Sequence, residues 1–439
     1  GRVNYSYKGK YIFTSNLRYD GSSRFVGNRW GLFPSASVAW RASDEFFFDW
    51  AKPVLTDAKF RLSWGTNGNE RVGNYESINQ YNIGSYYNGV IGVTQTDKLA
   101  NLDLSWESTE QTNIGLDVTL LDGRVSLVAE YYIKKTKDLL ADEVIPSELG
   151  VSSMRVNMGN IENKGMEFSL GYNKSWGDFS WNSNLTFSFN KNKIVELLDD
   201  AVDDEGNHYS LSEIDKGGIG SAKVILRKGG SMGDMYVTNR LKRDNEGNVY
   251  IDKASQNVKK EDIKNSDEFI HIGSVLPKSN LGFRNDFSYK GISLGFMLAA
   301  RFGGIVISPT QAVMDQFGVS KVTALARDNE GVPVNNGKVD PQTYYTEVGG
   351  ISGLMSNYVY SATNVRLQEL SVGYSLPAKW FNNKCNLSLS ITGHNLWMIY
   401  NKAPFDPEAT ASTGTYYQGV DYFMQPSLRS WGFNVKIQF

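Results

Sequence analysis

Three acidic segments of this 439-residue chain have the composition of calcium-binding loops. They span residues 199–206, 244–247 and 328–331, and each ends in Gly. A calcium loop of the EF-hand type needs an oxygen ligand at alternate positions before its Gly. The first of those positions holds Ala201, Lys242 and Ala326, respectively. We therefore interpret all three segments as turns, in which Asp, Asn and Gly accept left-handed backbone, and we expect no metal.

The other reactive residue types are also poorly placed for catalysis. Asp142 and Glu143 are adjacent, and neighbouring residues on a strand point to opposite faces, which does not suit a pair of glycosidase carboxylates. The three histidines are far apart, Cys385 is the only cysteine, and no nucleophile or phosphate-binding motif is present. The sequence predicts no enzyme, no cofactor and no internal disulfide.

Aromatic residues in long polar segments are better candidates for a functional site. Rings beside Asn and Asp suit the binding of a sugar face or an extended peptide. The alternative is that they pack the loops together or contact another protein. The candidates are Tyr81, Tyr86, Tyr87, Tyr344, Tyr345, Tyr416, Tyr417, Tyr422 and Phe423, with Tyr358 and Tyr360 in the same segment as Tyr344.

The elements that must position these residues are β-strands. In the last eleven residues, apolar side chains alternate strictly with Gly432, Asn434, Lys436 and Gln438, and the chain ends on Phe439. Such a period of two gives a strand one apolar face and one polar face. Hydrophobic residues make up 41% of the chain, but no window approaches the roughly 20 apolar residues of a membrane-spanning helix. The pattern favours an all-β transmembrane antiparallel β-barrel.

About fifteen strands are expected, the two weakest at 233–241 and 248–252, with a β-bulge at Gln368–Glu369. Short periplasmic turns should alternate with long extracellular loops, and the connection 41–57 should contain a short helix. The stronger strands are expected at 1–7, 11–19, 32–40, 58–64, 113–120, 125–133, 166–172, 178–190, 281–289, 292–302, 365–374, 387–391 and 429–439.

The strand count and the tryptophans bear on how the barrel is completed. Bacterial barrels have an even number of strands, so an odd number implies that strands on the N-terminal side come from elsewhere. The ten Trp residues lie at or near strand ends, as in an interfacial girdle. A passive porin, an enzymatic outer-membrane barrel and a soluble adhesin remain alternatives. The net charge of −2 argues against a nucleic-acid partner.

Several motifs resemble the SusC/RagA-type TonB-dependent transporters of the Gram-negative outer membrane. Their order and spacing match from near Gly1 to Phe439. They include Arg18-Tyr-Asp-Gly-Ser-Ser-Arg-Phe25, Asn160-Ile-Glu-Asn-Lys-Gly-Met-Glu-Phe168, Gly393-His-Asn-Leu396 and Phe405-Asp-Pro-Glu408, with further matches at 29–35, 39–41, 104–117, 131–140 and 365–377.

The resemblance implies a 22-stranded barrel of which residues 1–439 form the C-terminal part. The plug domain, the TonB box and the first strands are then expected outside this chain. It further implies active import of glycan or peptide fragments, with a SusD-like lipoprotein as lid and energy from TonB–ExbB–ExbD acting through the missing N-terminal part. The remaining partners would be the remaining barrel and plug segment, the lipid and lipopolysaccharide of the membrane, and a second transporter–lipoprotein pair in a dimer.

Overall fold

The computed structural model describes residues 1–145, 150–151, 153–197, 201–202, 208–209, 213–251, 258–335, 337–382, 384–412 and 419–438. The chain forms two compact units, one of residues 1–171 with 190–212 and the other of residues 172–189 with 213–439. Among the described residues, no helix has the length and apolar character needed to cross a membrane.

The principal element of the described residues is a sheet of thirteen antiparallel strands, hydrogen-bonded in the order of the chain. The strands are β1 (Arg2–Tyr7), β2 (Tyr11–Gly21), β3 (Trp30–Arg41), β4 (Leu55–Asn69), β5 (Glu107–Leu120), β6 (Val125–Lys137), β7 (Asn160–Trp176), β8 (Phe179–Glu196), β9 (Ser279–Tyr289), β10 (Ile292–Phe302), β11 (Asn364–Ser375), β12 (Asn386–Asn401) and β13 (Ser430–Gln438).

In the first unit, the strands have one exposed apolar face and one polar face. Leu32 and Ile114 lie on the apolar face and are both 57% exposed. On the opposite face, the Asp117 carboxylate lies 2.9 Å from Lys59 Nζ and 2.8 Å from Arg61 Nη2. The apolar side chains therefore point outward, where a bilayer can cover them.

The second unit has the same arrangement. Val372, Ile391 and Phe433 are cross-strand neighbours in one row of β11, β12 and β13, and they are 50%, 51% and 67% exposed. Arg284 lies on the other face and pairs with Asp286 at 2.9 Å. The stripes of apolar residues do not stack on each other in a dry interior, which is the arrangement that a soluble adhesin would require.

The short connections are tight turns, as predicted. Lys8 and Gly9 join β1 to β2, and Lys290 and Gly291 join β9 to β10, all four with positive φ. Two successive residues with positive φ define the hairpin turn whose twist matches the flanking strands. The predicted helix after β3 is also confirmed, as two 3₁₀ segments, Ala42–Asp44 and Phe46–Ala51.

The predicted bulge is confirmed at Gln368. Met297 of β10 faces Glu369, but the next residue, Leu298, faces Leu367, so Gln368 is the extra residue. In a regular strand, Leu367 and Leu370 would point to opposite faces, because they are three positions apart. The extra residue reverses the alternation, so both lie on the apolar face. The bulge therefore explains the phase slip in the sequence pattern.

Thirteen strands form the sheet, which is fewer than the fifteen expected, because the two weakest candidates lie in a loop. The candidate at 233–241 consists of Asp234–Val237 and Asn239–Leu241, which are four and three residues long and belong to smaller sheets. In the candidate at 248–252, Val249 and Ile251 form isolated bridges. A membrane strand needs about 9–11 residues, so neither can cross. The connection between β8 and β9 is consequently one long loop rather than two.

Where the structure describes them, the loops contain further short strands and three α-helices. The helices are α1 (Pro309–Gln316), α2 (Lys321–Asp328) and α3 (Pro341–Val348), with 3₁₀ segments at Ser266–Glu268, Met355–Tyr358 and Ala378–Phe381. The strands in the loops of the first unit are Tyr81–Tyr87, Val90–Gln95, Lys98–Leu99, Leu140–Val144, Ser153–Asn157, Ala201–Val202 and His208–Tyr209. Those of the second unit are Glu213–Ile219, Ala222–Arg227, Asp234–Val237, Asn239–Leu241, Lys260–Asp262, Ile270–Ser274, Ile305–Ile307, Val332–Val334, Gly337–Val339 and Val359–Ser361.

Candidate substrate-contact loops

The loops of the first unit pack around a small apolar core. Phe25, Val72 and Leu104 are buried there, and Trp106 and Leu140 pack against them. The Trp106 ring lies 5.5 Å from Phe25, so this tryptophan belongs to the loop core and its prediction as a girdle residue is wrong. Trp106 also lies 5.4 Å from the Phe33 ring of β3, so burial of these side chains fixes the loops against the sheet.

Arg24 fastens one of these loops to another. Its Nη1 donates to the carbonyl oxygens of Glu70 and Val72, at 3.1 and 3.0 Å. Its own carbonyl accepts a hydrogen bond from Ser77 Oγ at 2.7 Å. The motif that begins at Arg18 therefore starts on β2 and ends with Arg24 and Phe25, which organise the loops.

A hairpin presents two of the predicted aromatic residues. Tyr81–Tyr87 pairs with Val90–Gln95 across a turn at Asn88 and Gly89, both of positive φ. Tyr81 and Tyr86 are 60% and 74% exposed. Their rings are therefore available to a ligand or to another protein.

Three capped helices build the loop between β10 and β11 in the second unit. Ser308 Oγ accepts from the Gln311 N–H at 3.0 Å, Ser320 Oγ from Thr323, and Asp340 Oδ2 from Thr343 at 3.0 Å. These side chains satisfy backbone donors at the helix N-termini. Sequence reasoning missed the helices, although Ser308-Pro309 and Asp340-Pro341 are signals of a helix start that could have found them.

The last loop docks on the first of these helices. The Asp421 N–H donates to the Ile307 carbonyl at 2.8 Å, and Ser308 Oγ donates to Asp421 Oδ2 at 2.6 Å. The Phe423 N–H donates to Thr310 Oγ1 at 2.7 Å. These bonds hold Tyr422 and Phe423, whose ring centroids lie 5.2 Å apart, beside the start of α1. Both rings are partly exposed.

Tyrosines surround a buried carboxylate on α1. Asp315 is 4% exposed and accepts hydrogen bonds from Gln311 Nε2, at 2.7 Å, and from the Tyr358 hydroxyl. Burial, together with the charge of Asp315, raises the pKa of Tyr345 and of Tyr360 to about 12. The two hydroxyls are therefore neutral hydrogen-bond donors at physiological pH.

A cavity of about 290 Å³ opens between the three helices. Charged, amide and aromatic side chains all contribute to its lining. The lining residues are Asp315, Gln316, Phe317, Gly318, Thr323, Arg327, Asp340, Pro341, Gln342 and Tyr345.

A buried ion triad connects the last loop to β11. Arg366 Nη2 lies 2.9 Å from Asp406 Oδ1 and 2.9 Å from Glu408 Oε2, and the Arg366 side chain is only 7% exposed. Burial by itself would raise the pKa of Asp406, but the hydrogen bonds from Ser427 and the Arg366 cation lower it below its ordinary value. Sequence reasoning did not pair these residues, although both lie in motifs that carry the family resemblance.

The structure brings only some of the predicted aromatic residues together. Tyr344 and Tyr345 lie edge to face at 5.0 Å on α3, and Tyr422 and Phe423 lie on a loop bonded to α1 in the same unit. Tyr344 is 9% exposed, so it supports Tyr345 rather than facing solvent. Tyr87 ends its strand in the first unit with Tyr81 and Tyr86. Tyr416, Tyr417 and Phe439 lie outside the described residues.

Two of the three acidic segments form turns, whereas Ala201–Val202 of the third is a short strand. Asp244 Oδ1 accepts from the N–H groups of Glu246 and Asn248, and Gly247 has a φ of +86°. Asp328 ends α2, whereas residues 199–200 and 203–206 lie outside the described part of the chain. Asp142 pairs with Arg155 at 3.0 Å, which is a structural contact.

Comparison with known proteins identifies the family. Residues 1–225 match the profile "TonB dependent receptor-like, beta-barrel". TonB-dependent receptor P3 of Formosa agariphila is 32% identical over 100% of this chain and 45% of its own length. TonB-dependent receptor SusC of Bacteroides thetaiotaomicron is 28% identical over 100% of this chain and 43% of its own length. The chain thus spans about half the length of the curated relatives it matches.

A solved structure has the same fold. The RagAB peptide importer in its "closed-closed" state superimposes with a TM-score of 0.77 at 22% identity, covering 99% of this chain and 46% of that one. The relatives are named as receptors and an importer, and none of these names describes an enzyme. Proteins of this family lie in the outer membrane of Gram-negative bacteria. The chain belongs to the TonB-dependent receptor β-barrel family.

Proposed function

We propose that this chain forms the wall and outer vestibule of an active outer-membrane importer of glycan or peptide fragments. The observation that supports it best is the two-faced sheet of thirteen strands, together with the match to the TonB-dependent receptor family. A wall with apolar residues outside and ion pairs inside suits a polar lumen through which a hydrophilic nutrient passes. The chain does no bond chemistry in this proposal.

The other parts of the importer follow from the relatives. We infer that residues 1–439 correspond to the C-terminal part of a 22-stranded barrel, because the matched relatives are about twice as long. The plug, the TonB box and the first strands would lie outside these residues. A SusD-like lipoprotein would cover the loops, TonB–ExbB–ExbD would supply the energy, and two such pairs would form a dimer.

Uptake by living cells tests the proposal. Cells that carry the gene should accumulate a fluorescent oligosaccharide or peptide from a test panel, and loss of either this gene or TonB should abolish accumulation. Uptake that persists without TonB would indicate a passive porin instead. Conversion of the substrate by the purified barrel would indicate an enzyme.

The loop aromatics provide a residue-level test. Tyr422→Ala and Phe423→Ala should lower the uptake rate about tenfold if these rings contact the substrate or the lid. Phe46→Ala is a matched control, because Phe46 is 80% exposed but lies in the short connection between β3 and β4. Equal uptake by all three variants would remove these residues from the site.

A further inference from the structure

The cavity between α1, α2 and α3 has the properties of a ligand-binding subsite. Its volume of about 290 Å³ is at the lower end of the range for small-molecule pockets. Capped helices form its walls, and Gln316 packs over Gly350, so its shape is largely set before any ligand arrives. A site of this size accommodates one sugar-sized ring or one side chain rather than an extended oligomer.

The charges of the lining disfavour an ionic ligand. Asp315 and Asp340 contribute carboxylates to the lining, and Arg327 contributes a guanidinium. A ligand carboxylate or phosphate would meet the two carboxylates, whereas an ammonium group would meet Arg327. Since an ion of either sign meets a like charge, a neutral polar group fits better.

The lining presents both hydrogen-bond donors and hydrogen-bond acceptors, and several of them belong to planar groups. Arg327 Nη1 donates to the Gly318 carbonyl at 3.1 Å, and a guanidinium has five N–H groups. Asp340 uses Oδ2 to cap α3, and Gln342 presents an exposed amide. Tyr345 keeps its proton and can donate. Paired donors and acceptors of this kind match neighbouring hydroxyl groups, each of which both donates and accepts.

An apolar surface completes the cavity. Phe317 lines it and is 73% exposed, although it is a large aromatic residue. A pyranose ring has an apolar face of C–H groups that covers such a ring while its hydroxyls bond at the edge. The exposure of the Phe317 side chain is then explained, because its ring is the surface on which the sugar ring stacks.

We propose that this cavity binds one neutral, hydroxyl-rich ring of a glycan. The inference names the substrate class within the importer function proposed above and rests on it for the glycan's passage through the barrel. A peptide is the weaker candidate, because an extended backbone needs a groove or a free strand edge rather than a compact cavity. A charged peptide side chain is disfavoured by the mixed charges.

Calorimetric titration of the intact protein in detergent tests the proposal. The ligands would be neutral hexasaccharides of glucose, mannose, galactose and xylose, and uncharged hexapeptides with blocked termini. At least one hexasaccharide should bind. Arg327→Ala and Phe317→Ala should each weaken that binding about tenfold, as expected for loss of one strong polar or stacking contact.

Matched variants separate the cavity from its surroundings. Leu325→Ala, on α2 but outside the lining, should bind as the unaltered protein does. Gln342→Ala removes an exposed amide and should weaken binding even if Arg327→Ala disturbs the loop. Binding of no hexasaccharide, binding unchanged in Arg327→Ala, Phe317→Ala and Gln342→Ala, or cavity-dependent binding of a hexapeptide would each overturn the proposal.

The titration is independent of transport. If a hexasaccharide binds at the cavity but cells show no TonB-dependent uptake, the subsite stands and the importer function fails. If uptake depends on TonB but none of the cavity variants changes glycan binding, the importer function stands and the subsite fails.

Discussion

The wall and the loops use apolar residues in opposite ways. On the wall, Ile391 and Phe433 are 51% and 67% exposed, whereas in the loops Ile307 and Leu354 are completely buried. A soluble protein would bury both groups against each other. The difference shows that the two regions fold against different surroundings, lipid for the wall and their own side chains for the loops.

Charged residues show the same division. Arg284 of the wall pairs with Asp286 and Glu369 while 45% of its side chain is exposed. Arg366, at the end of β11 where the last loop covers it, pairs with Asp406 and Glu408 of that loop at a similar distance but is 7% exposed. Loss of a partner costs far more where water cannot take its place, so identical contacts have different energetic weight in the two regions.

The largest expected effect comes from Arg366→Ala. It leaves the Asp406 carboxylate buried without its cation, and removal of one member of a buried ion pair costs about 3–5 kcal/mol. We expect the last loop to detach from β11, which hydrogen exchange at the Glu408 and Ser427 amides would detect, because both donate to Asp406.

Arg284→Ala is the matched control for that variant. Its ion pairs are half exposed, so we expect a cost of about 0–1 kcal/mol and unchanged exchange in the last loop. If the two variants were equally harmful, burial would not be what distinguishes the triad.

A smaller effect is expected from a charge on the outer face of the wall. Val372→Arg should destabilise the protein in lipid vesicles by about 2–4 kcal/mol if its row lies near the bilayer midplane. Ser390→Arg is on β12 with its side chain on the polar face, where water can solvate the charge. Guanidinium unfolding of both variants measures the difference, and an equally small cost for both would contradict the assignment of the outer face to lipid.

The wall strands could be predicted from the sequence because apolar and polar residues alternate with a period of two in a strand that has one apolar and one polar face. All thirteen strands of the sheet were expected, and the phase slip at Gln368 located the bulge. The Gly-containing tight turns were recognisable for the same reason: only a few residue types accept positive φ at successive positions.

The loops were much less predictable because their contacts join distant segments. Arg366 and Asp406 are 40 residues apart, and no periodic pattern relates them. Helices of eight residues, such as α2, are too short to show a helical period clearly. Asp234–Val237 is a strand, as its sequence indicates, but it is buried along its whole length in a small sheet of a loop. The sequence pattern does not distinguish such a strand from a weak strand of the wall.

The smallest expected effect uses one substitution in both regions. Ile307→Val removes a methylene from the closed core of a loop, where the space stays empty, and should cost about 0.5–1.5 kcal/mol. Ile437→Val removes the same group from the outer face of β13, where lipid tails are as apolar as the side chain and fill the space, so the cost should be close to zero. Hydrogen exchange at the Asp421 amide, bonded to Ile307, and at the β13 amides bonded to β12 measures the two sites in one experiment. Equal costs would mean that residues on the outer face are packed by protein rather than by lipid. The wall and the loops would then not differ in what surrounds their apolar side chains.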